Sequence, residues 1–192
     1  MNLDIVQEAK KFAQEEMEKF GMTEAPIFFE ITEKKGLELA EKLNADKAIV
    51  LVGTYLKDVK IGEAFQERRL WEHIKMSVEA TKEFLKKFDI DKSTEKKIIN
   101  CVEAHHTQVP FICKEAEIVA NADCYMFLAP KGFFVFLMKS PVIKDLKFSD
   151  ALNFIEAKLD EKYKILSLDV CKKELEPYYH QFKKLFKSAR EL

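Results

Sequence analysis

Residues 36–58 read GLELAEKLNADKAIVLVGTYLKD, and this stretch decides the class of fold. Its first part belongs to a helical pattern that we predict to run from about Thr32 to Leu43 and to end at Asn-Ala-Asp. From Ala48 to Leu56 the side chains are apolar on nearly all sides, with Gly53 among them. A short run that is apolar all round is typical of a fully buried helix. Two consecutive helices are therefore predicted, the second of them buried.

Helical spacing continues on both sides of this stretch. Apolar residues recur at intervals of three and four in further segments, among them Ile5 to Phe20, Leu70 to Phe88, Ala116 to Phe127 and Leu175 to Phe186. Five Gly and five Pro in 192 residues are too few for a β-sandwich or barrel of many short strands. We predict an all-α protein, a compact bundle of about seven or eight helices in one domain over residues 1–192. Its core covers about 26–140, and C-terminal helices in 141–192 pack on it.

Turn-forming and capping residues mark the predicted ends of helices. Gly21 is expected to stop the first helix, and Ser93 and Ser149 are expected to cap two later ones. Pro130 and Gly132 are expected to break the helix that precedes them.

Composition and charge narrow the classes of function. Apolar residues make up 47% of the chain and charged residues 34%, as in a folded globule. Lys and Arg total 32 against 33 Asp and Glu, so no basic field favours nucleic acid or an anionic membrane. The first residues lack the pattern of a secretory signal, and the longest apolar run, Phe133 to Met138, is too short to span a membrane. We therefore predict a cytoplasmic protein.

Polar side chains interrupt the apolar faces at a few positions. Asp123 lies on an apolar helix face, where a buried carboxylate needs a cation or hydrogen-bond donors. His105 and His106 continue another apolar face, Asp58 follows the buried helix, and His73 lies beside a third stripe. Imidazole and carboxylate together form a ligand set for Fe, Mn, Zn or Ni. A lone inward histidine is more often a hydrogen-bonded core residue, so spacing alone leaves both interpretations open.

Four segments, in this order, resemble the HD superfamily of helical metal-dependent phosphohydrolases. Residues 36–58 resemble the family's first conserved helix, its turn and the apolar helix that ends in a His-Asp doublet. WEHIKMSVEATKEFLKKF (71–88) and IINCVEAHH (98–106) resemble its His-bearing helices, and EAEIVANADCYMFL (115–128) resembles the helix that supplies the last Asp. A weaker similarity covers DALNFIEAKL and FKKLFKSAREL. The resemblance implies an HD-type bundle and a divalent metal (Fe, Mn, Zn, Ni or Mg).

The chain departs from the family's motif at two metal-ligand positions. Phe28 stands at the position of the first His, and the doublet reads Lys57-Asp58. Glu30 is two residues past Phe28, an offset of about 200° on a helix, so it is a poor replacement for that ligand. The metal ligands that the resemblance leaves are Asp58, His73, either His105 or His106, and Asp123.

Two accounts of the altered site remain open. In the first, no metal is bound and the Lys57 ammonium offsets the charges of Asp58 and Asp123, with about 4 kcal/mol of Coulomb energy before desolvation. The protein is then a catalytically inactive module that binds a ligand or another protein. In the second, one metal persists in an altered position, and Asp58 and Lys57 are the catalytic residues of a phosphohydrolase.

The second account names a substrate class and a set of residues that bind it. The partner is a small phosphorylated molecule, a nucleotide or other small phosphoester, and a homo-oligomer is compatible with the sequence. Besides Lys57, the basic residues expected to bind phosphate oxygens are Lys60, Arg68 and Arg69.

Overall fold

The chain folds into α-helices, which confirms the prediction of an all-α protein. The computed structural model describes residues 3–22, 25–144 and 146–191; the remaining positions of the predicted domain lie outside the described residues. It is 80% helical, and its described ranges contain no strand. The helices are α1 (Leu3–Lys19), α2 (Ala25–Lys42), α3 (Lys47–Leu56), α4 (Ile61–Gln66), α5 (His73–Leu85), α6 (Lys92–Glu103), α7 (Lys114–Leu128), α8 (Pro130–Lys139), α9 (Pro141–Lys144), α10 (Phe148–Ile165) and α11 (Asp169–Glu191), with a 3-10 turn at Leu70–Glu72.

Several helix boundaries differ from the predicted ones. α2 begins at Ala25 rather than Thr32, because Phe29 is buried in the core and extends the apolar face of the helix towards its N-terminus. Asp91, not Ser93, caps α6: its carboxylate accepts hydrogen bonds from the backbone N–H groups of residues 93 and 94 at 2.9 and 3.0 Å. α10 begins at Phe148 without a side-chain cap, so Ser149 lies inside it.

Pro130 ends α7 and at the same time begins α8. Proline suits the first turn of a helix because the N–H that it lacks has no partner there. Together with the short α4 and α9, this additional helix explains why the chain has more helical segments than the predicted seven or eight. No described helix has the length and apolar character required to cross a membrane.

Helices α3 and α7 form the centre of the bundle. α3 packs against α1, α2, α6 and α7, and α7 also packs against α8, α10 and α11. The predicted burial of α3 is confirmed, and Gly53 is required there because a Cβ at this position would lie 2.4 Å from Cys101 Cβ on α6. At its N-terminus the Asp46 carboxylate caps α3, while the Asp46 N–H donates to Glu115 on α7. These contacts bring the C-terminal end of α3 against the middle of α7.

Candidate metal and anion site

A chain of alternating buried charges joins three helices at the C-terminal end of α3. Lys57 caps α3 and donates to the carboxylates of both Asp58 and Asp123, the second at 2.7 Å. Lys162 on α10 donates to the other oxygen of Asp123, also at 2.7 Å. Lys57, Asp123 and Lys162 are each at most 7% exposed. Lys57 also lies at a helix C-terminus, where the helix dipole favours a cation.

Each buried charge in this chain is stabilised by its neighbours. Burial alone would raise the pKa of Asp58 and Asp123, but the adjacent ammonium groups lower both pKa values below their usual range. Burial alone would likewise lower the pKa of Lys57 and Lys162, but the carboxylates raise both. All four groups are therefore ionised at neutral pH. Removing one of them would leave a buried charge without its partner.

The remaining oxygen of Asp58 faces two histidines. Asp58 Oδ1 lies 3.5 Å from His73 Nε2 and 3.3 Å from His105 Nε2. The Nδ1 atom of His73 lies 2.7 Å from the carbonyl oxygen of Leu70, and that of His105 lies 2.6 Å from the carbonyl oxygen of Val102. A carbonyl oxygen only accepts, so each Nδ1 carries a proton, and in each neutral ring Nε2 has a lone pair.

This arrangement requires a positive charge beside Asp58. The Nε2 lone pair of a neutral ring would face a carboxylate oxygen, which is also an acceptor, so the contact is satisfied either by a proton on Nε2 or by a metal ion between the two atoms. Asp58 Oδ1 and His105 Nε2 are buried, and neither has a hydrogen-bond partner among the described residues. Burial also lowers the pKa of His73, which favours its neutral form. Ligand atoms bound tetrahedrally to a metal ion at about 2.1 Å lie about 3.4 Å from one another. The distances from Asp58 Oδ1 to the two Nε2 atoms, 3.5 and 3.3 Å, are close to this value.

His106 completes a group that could hold a metal ion. One ligand atom from each of Asp58, His73, His105 and His106 lies within 4.8 Å of the others. Burial lowers the pKa of His106 to about 4, so this ring is neutral at pH 7. Its Nδ1 lies 2.8 Å from Glu161 Oε1. Metal-binding histidines commonly have such a carboxylate on their other nitrogen.

Asp123 is not part of this group, although the sequence predicts it as a metal ligand. Both of its oxygens contact ammonium groups, those of Lys57 and Lys162. The structure therefore gives Lys57 the bridging position that the first account expects. It also leaves Asp58 Oδ1 and the histidines available to a cation, as the second account expects.

A cavity of about 690 Å³ opens onto the charged network, and ligand pockets typically fall between about 300 and 1,000 Å³. Three carboxylates and three ammonium groups line it: Asp58, Asp123, Glu161, Lys57, Lys158 and Lys162. His73 and His106 also line the cavity, and so does Thr54, whose buried hydroxyl has no hydrogen-bond partner within the described ranges. The rest of the wall is mainly apolar.

The basic residues predicted to bind phosphate lie elsewhere. Lys60 pairs with Glu16 and Glu63 at 2.6 and 2.8 Å, and Arg69 pairs with acidic neighbours on the surface. Arg68 is exposed with a positive φ of 57°. None of the three lines the cavity. The cationic groups of the cavity are instead the lysines at 57, 158 and 162.

Phe28 lines the cavity, whereas Glu30 does not. The resemblance aligns Phe28 with the family's first His. Glu30 is exposed and pairs with Lys131 at 2.5 Å, which agrees with the expectation that it does not replace that ligand.

Sequence reasoning missed Lys162 and Glu161. Lys162 is 1% exposed and lies seven residues after Ile155 and three after Leu159, on the same buried face of α10. The signal was therefore present as a lysine at an apolar position of a helical stripe. Glu161 adjoins that face, and no pattern in the sequence marked it.

No protein-family model, no curated protein and no solved structure matches this chain. The fold and site define an all-α protein with a buried lysine–carboxylate network beside a group of one aspartate and three histidines that could hold a metal ion.

Proposed function

We propose that this protein is a divalent-metal-dependent phosphohydrolase that acts on a small phosphoester. The observation that carries the proposal is the contact of Asp58 Oδ1 with the Nε2 atoms of His73 and His105, whose Nδ1 protons are donated to the backbone. A cation between these acceptors satisfies all of them at once, and oxygen with two or three imidazoles is a common ligand set for Zn, Mn, Fe or Ni.

The charge balance of the cavity supports an anionic substrate. Its three carboxylates and three ammonium groups cancel, so a bound divalent ion leaves a net charge of about +2 in a partly enclosed space. A phosphate dianion neutralises this charge. Lys57 has three N–H donors, of which two contact carboxylates, and the third is left for a phosphate oxygen.

In this proposal Asp58, His73, His105 and His106 hold the metal. A bound divalent ion of this type acidifies water and polarises phosphoryl oxygens. Lys57 and Lys162 orient the phosphate, and Asp123 keeps both lysines protonated and in place. Glu161 holds the ring of His106 in the orientation that the metal needs.

We infer that the chain is a divergent relative of the HD superfamily, as the order of its motifs suggests. Phe28→His combined with Lys57→His then restores the ligands that the family's motif has and this chain lacks. The double variant should bind more metal per chain than the unaltered protein. If it binds no more, our alignment of the chain with the motif is wrong.

Metal binding is tested by stripping the protein with a chelator and titrating it with Mn²⁺, Zn²⁺, Fe²⁺ or Ni²⁺ in a calorimeter. We expect one ion per chain. Asp58→Asn and His106→Gln should each weaken binding at least tenfold, because each removes a ligand. His180→Gln is the matched control, since His180 is the fourth histidine and is exposed.

Hydrolysis is tested with nitrophenyl phosphate mono- and diesters. The metal-loaded protein should release nitrophenol, and Asp58→Asn should not. If the protein binds no metal and releases no nitrophenol with any of these ions, the proposal fails.

The alternative function is a catalytically inactive binding module. The position of Lys57 between Asp58 and Asp123 favours it, because this ammonium neutralises both carboxylates without a metal. A protein that binds phosphate-containing ligands equally well with and without chelator, and hydrolyses none of them, would be this module.

A further inference from the structure

The cavity has two chemically distinct parts. Ion pairs link Asp58, Lys57, Asp123 and Lys162, and beside Lys162 on α10 the lining residues Lys158 and Glu161 form a further pair, so the charges lie in a patch on one side of the cavity. Most of the other lining residues are aromatic or aliphatic. A ligand that fills the cavity must therefore be charged at one end and apolar over most of its length.

Aromatic rings lead away from the charged patch. Lys162 Nζ lies 5.0 Å from the centre of the Phe127 ring, which lies 4.9 Å from that of Phe136. Phe136 in turn contacts Phe154, with ring centres 6.4 Å apart. All three phenylalanines line the cavity. This apolar wall thus begins beside an ammonium group and continues over α8 and α10.

We propose that the substrate is an amphiphilic phosphate monoester, with its phosphate at the charged patch and a hydrocarbon chain along the aromatic wall. The proposal rests on the proposed function for the position of the phosphate and adds the nature of the esterified group. Burial of hydrocarbon against this wall is favourable. A nucleoside is a poor fit, because its ribose hydroxyls and base edges would lose hydrogen bonds to water that phenylalanine cannot replace.

Binding is tested with alkylphosphonates, whose P–C bond resists hydrolysis. Butyl-, hexyl- and octylphosphonate are titrated into chelator-treated and Mn²⁺-loaded protein and followed by calorimetry. The fluorescence of Trp71 gives a second signal, since it is the single tryptophan and lines the cavity. AMP is the polar comparison.

We expect affinity to rise with chain length, by up to about fourfold for each methylene that is fully buried. AMP should bind more weakly than octylphosphonate. Phe154→Ser should reduce the advantage of octyl over butyl, because Phe154 belongs to the aromatic wall, lines the cavity and is only partly buried. Phe134→Ser is the matched control: Phe134 is 57% exposed and does not line the cavity.

The outcomes separate this proposal from the proposed function. Equal affinities for the butyl and octyl compounds, or tighter binding of AMP, overturn the amphiphilic substrate even if metal-dependent hydrolysis occurs. Affinity that increases with chain length supports it even if no phosphoester is hydrolysed, in which case the proposed hydrolase activity is what fails. An equal loss of octyl preference in both phenylalanine variants would also overturn it.

Discussion

Lys57→Met tests whether the ammonium of Lys57 holds the centre of the bundle together. Methionine keeps most of the length of the side chain and removes its charge. In the variant, the Asp58 and Asp123 carboxylates lose the ammonium that both of them contact and become uncompensated neighbours. Asp123 keeps Lys162, whereas Asp58 keeps only the two histidines.

Breaking a buried ion pair by removing one partner costs about 3–5 kcal/mol. A change of 1 kcal/mol shifts the Tm of a domain of this size by about 2–4 °C, so the expected fall in Tm is roughly 6–20 °C in metal-free buffer. Lys131→Met is the matched control, since Lys131 pairs with Glu30 at 2.5 Å and both are more than half exposed. Such a surface pair contributes about 0–1 kcal/mol.

Two further measurements identify the cause of the lower Tm of Lys57→Met. Acid should reduce the difference in Tm between the variant and the unaltered protein, because protonation of Asp58 or Asp123 removes the uncompensated negative charge. A divalent ion should raise the Tm of the variant more than that of the unaltered protein, because it can take the place of the missing ammonium. Melting of Lys57→Met at the Tm of the unaltered protein without metal would refute the reasoning.

Two further predictions concern the stability of the fold at Glu16 and at Gly132. Burial raises the pKa of Glu16, but Lys19 and Lys60 lower it below 4.5 overall, so its ion pairs stabilise the fold above pH 4.5 and are lost as pH falls through the lowered value. Urea unfolding of Glu16→Gln should therefore show a deficit at pH 7 that shrinks towards pH 3; an equal deficit at both values would contradict this. Gly132→Ala should destabilise the protein by about 1–3 kcal/mol or more, because the new Cβ would lie 2.2 Å from the backbone oxygen of Tyr125, a clash that no side-chain rotation relieves. Thermal melting would show it, and an unchanged Tm would mean that α7 and α8 separate easily.

Local spacing was sufficient to predict the all-α class and to place several candidate site residues on inward helix faces. Side chains three and four residues apart share a face of a helix, so His105, His106 and Asp123 could be assigned to inward faces before their partners were known. The buried character of α3 followed from composition alone. Helix starts were less predictable, because the capping side chain at Asp91 competes with Ser93 two residues later.

Only the tertiary structure decided which charges meet. Asp123 and Lys162 are 39 residues apart, and their contact depends on how α10 packs against α7. For the same reason the sequence suggested Lys60, Arg68 and Arg69 as phosphate ligands, although the buried carboxylate of Glu16 pairs with Lys60 and Glu67 pairs with Arg69. The spacing of apolar residues shows which face of one helix is buried. Ion pairs between helices depend on how those helices pack, and the spacing within one helix does not show how it packs against another.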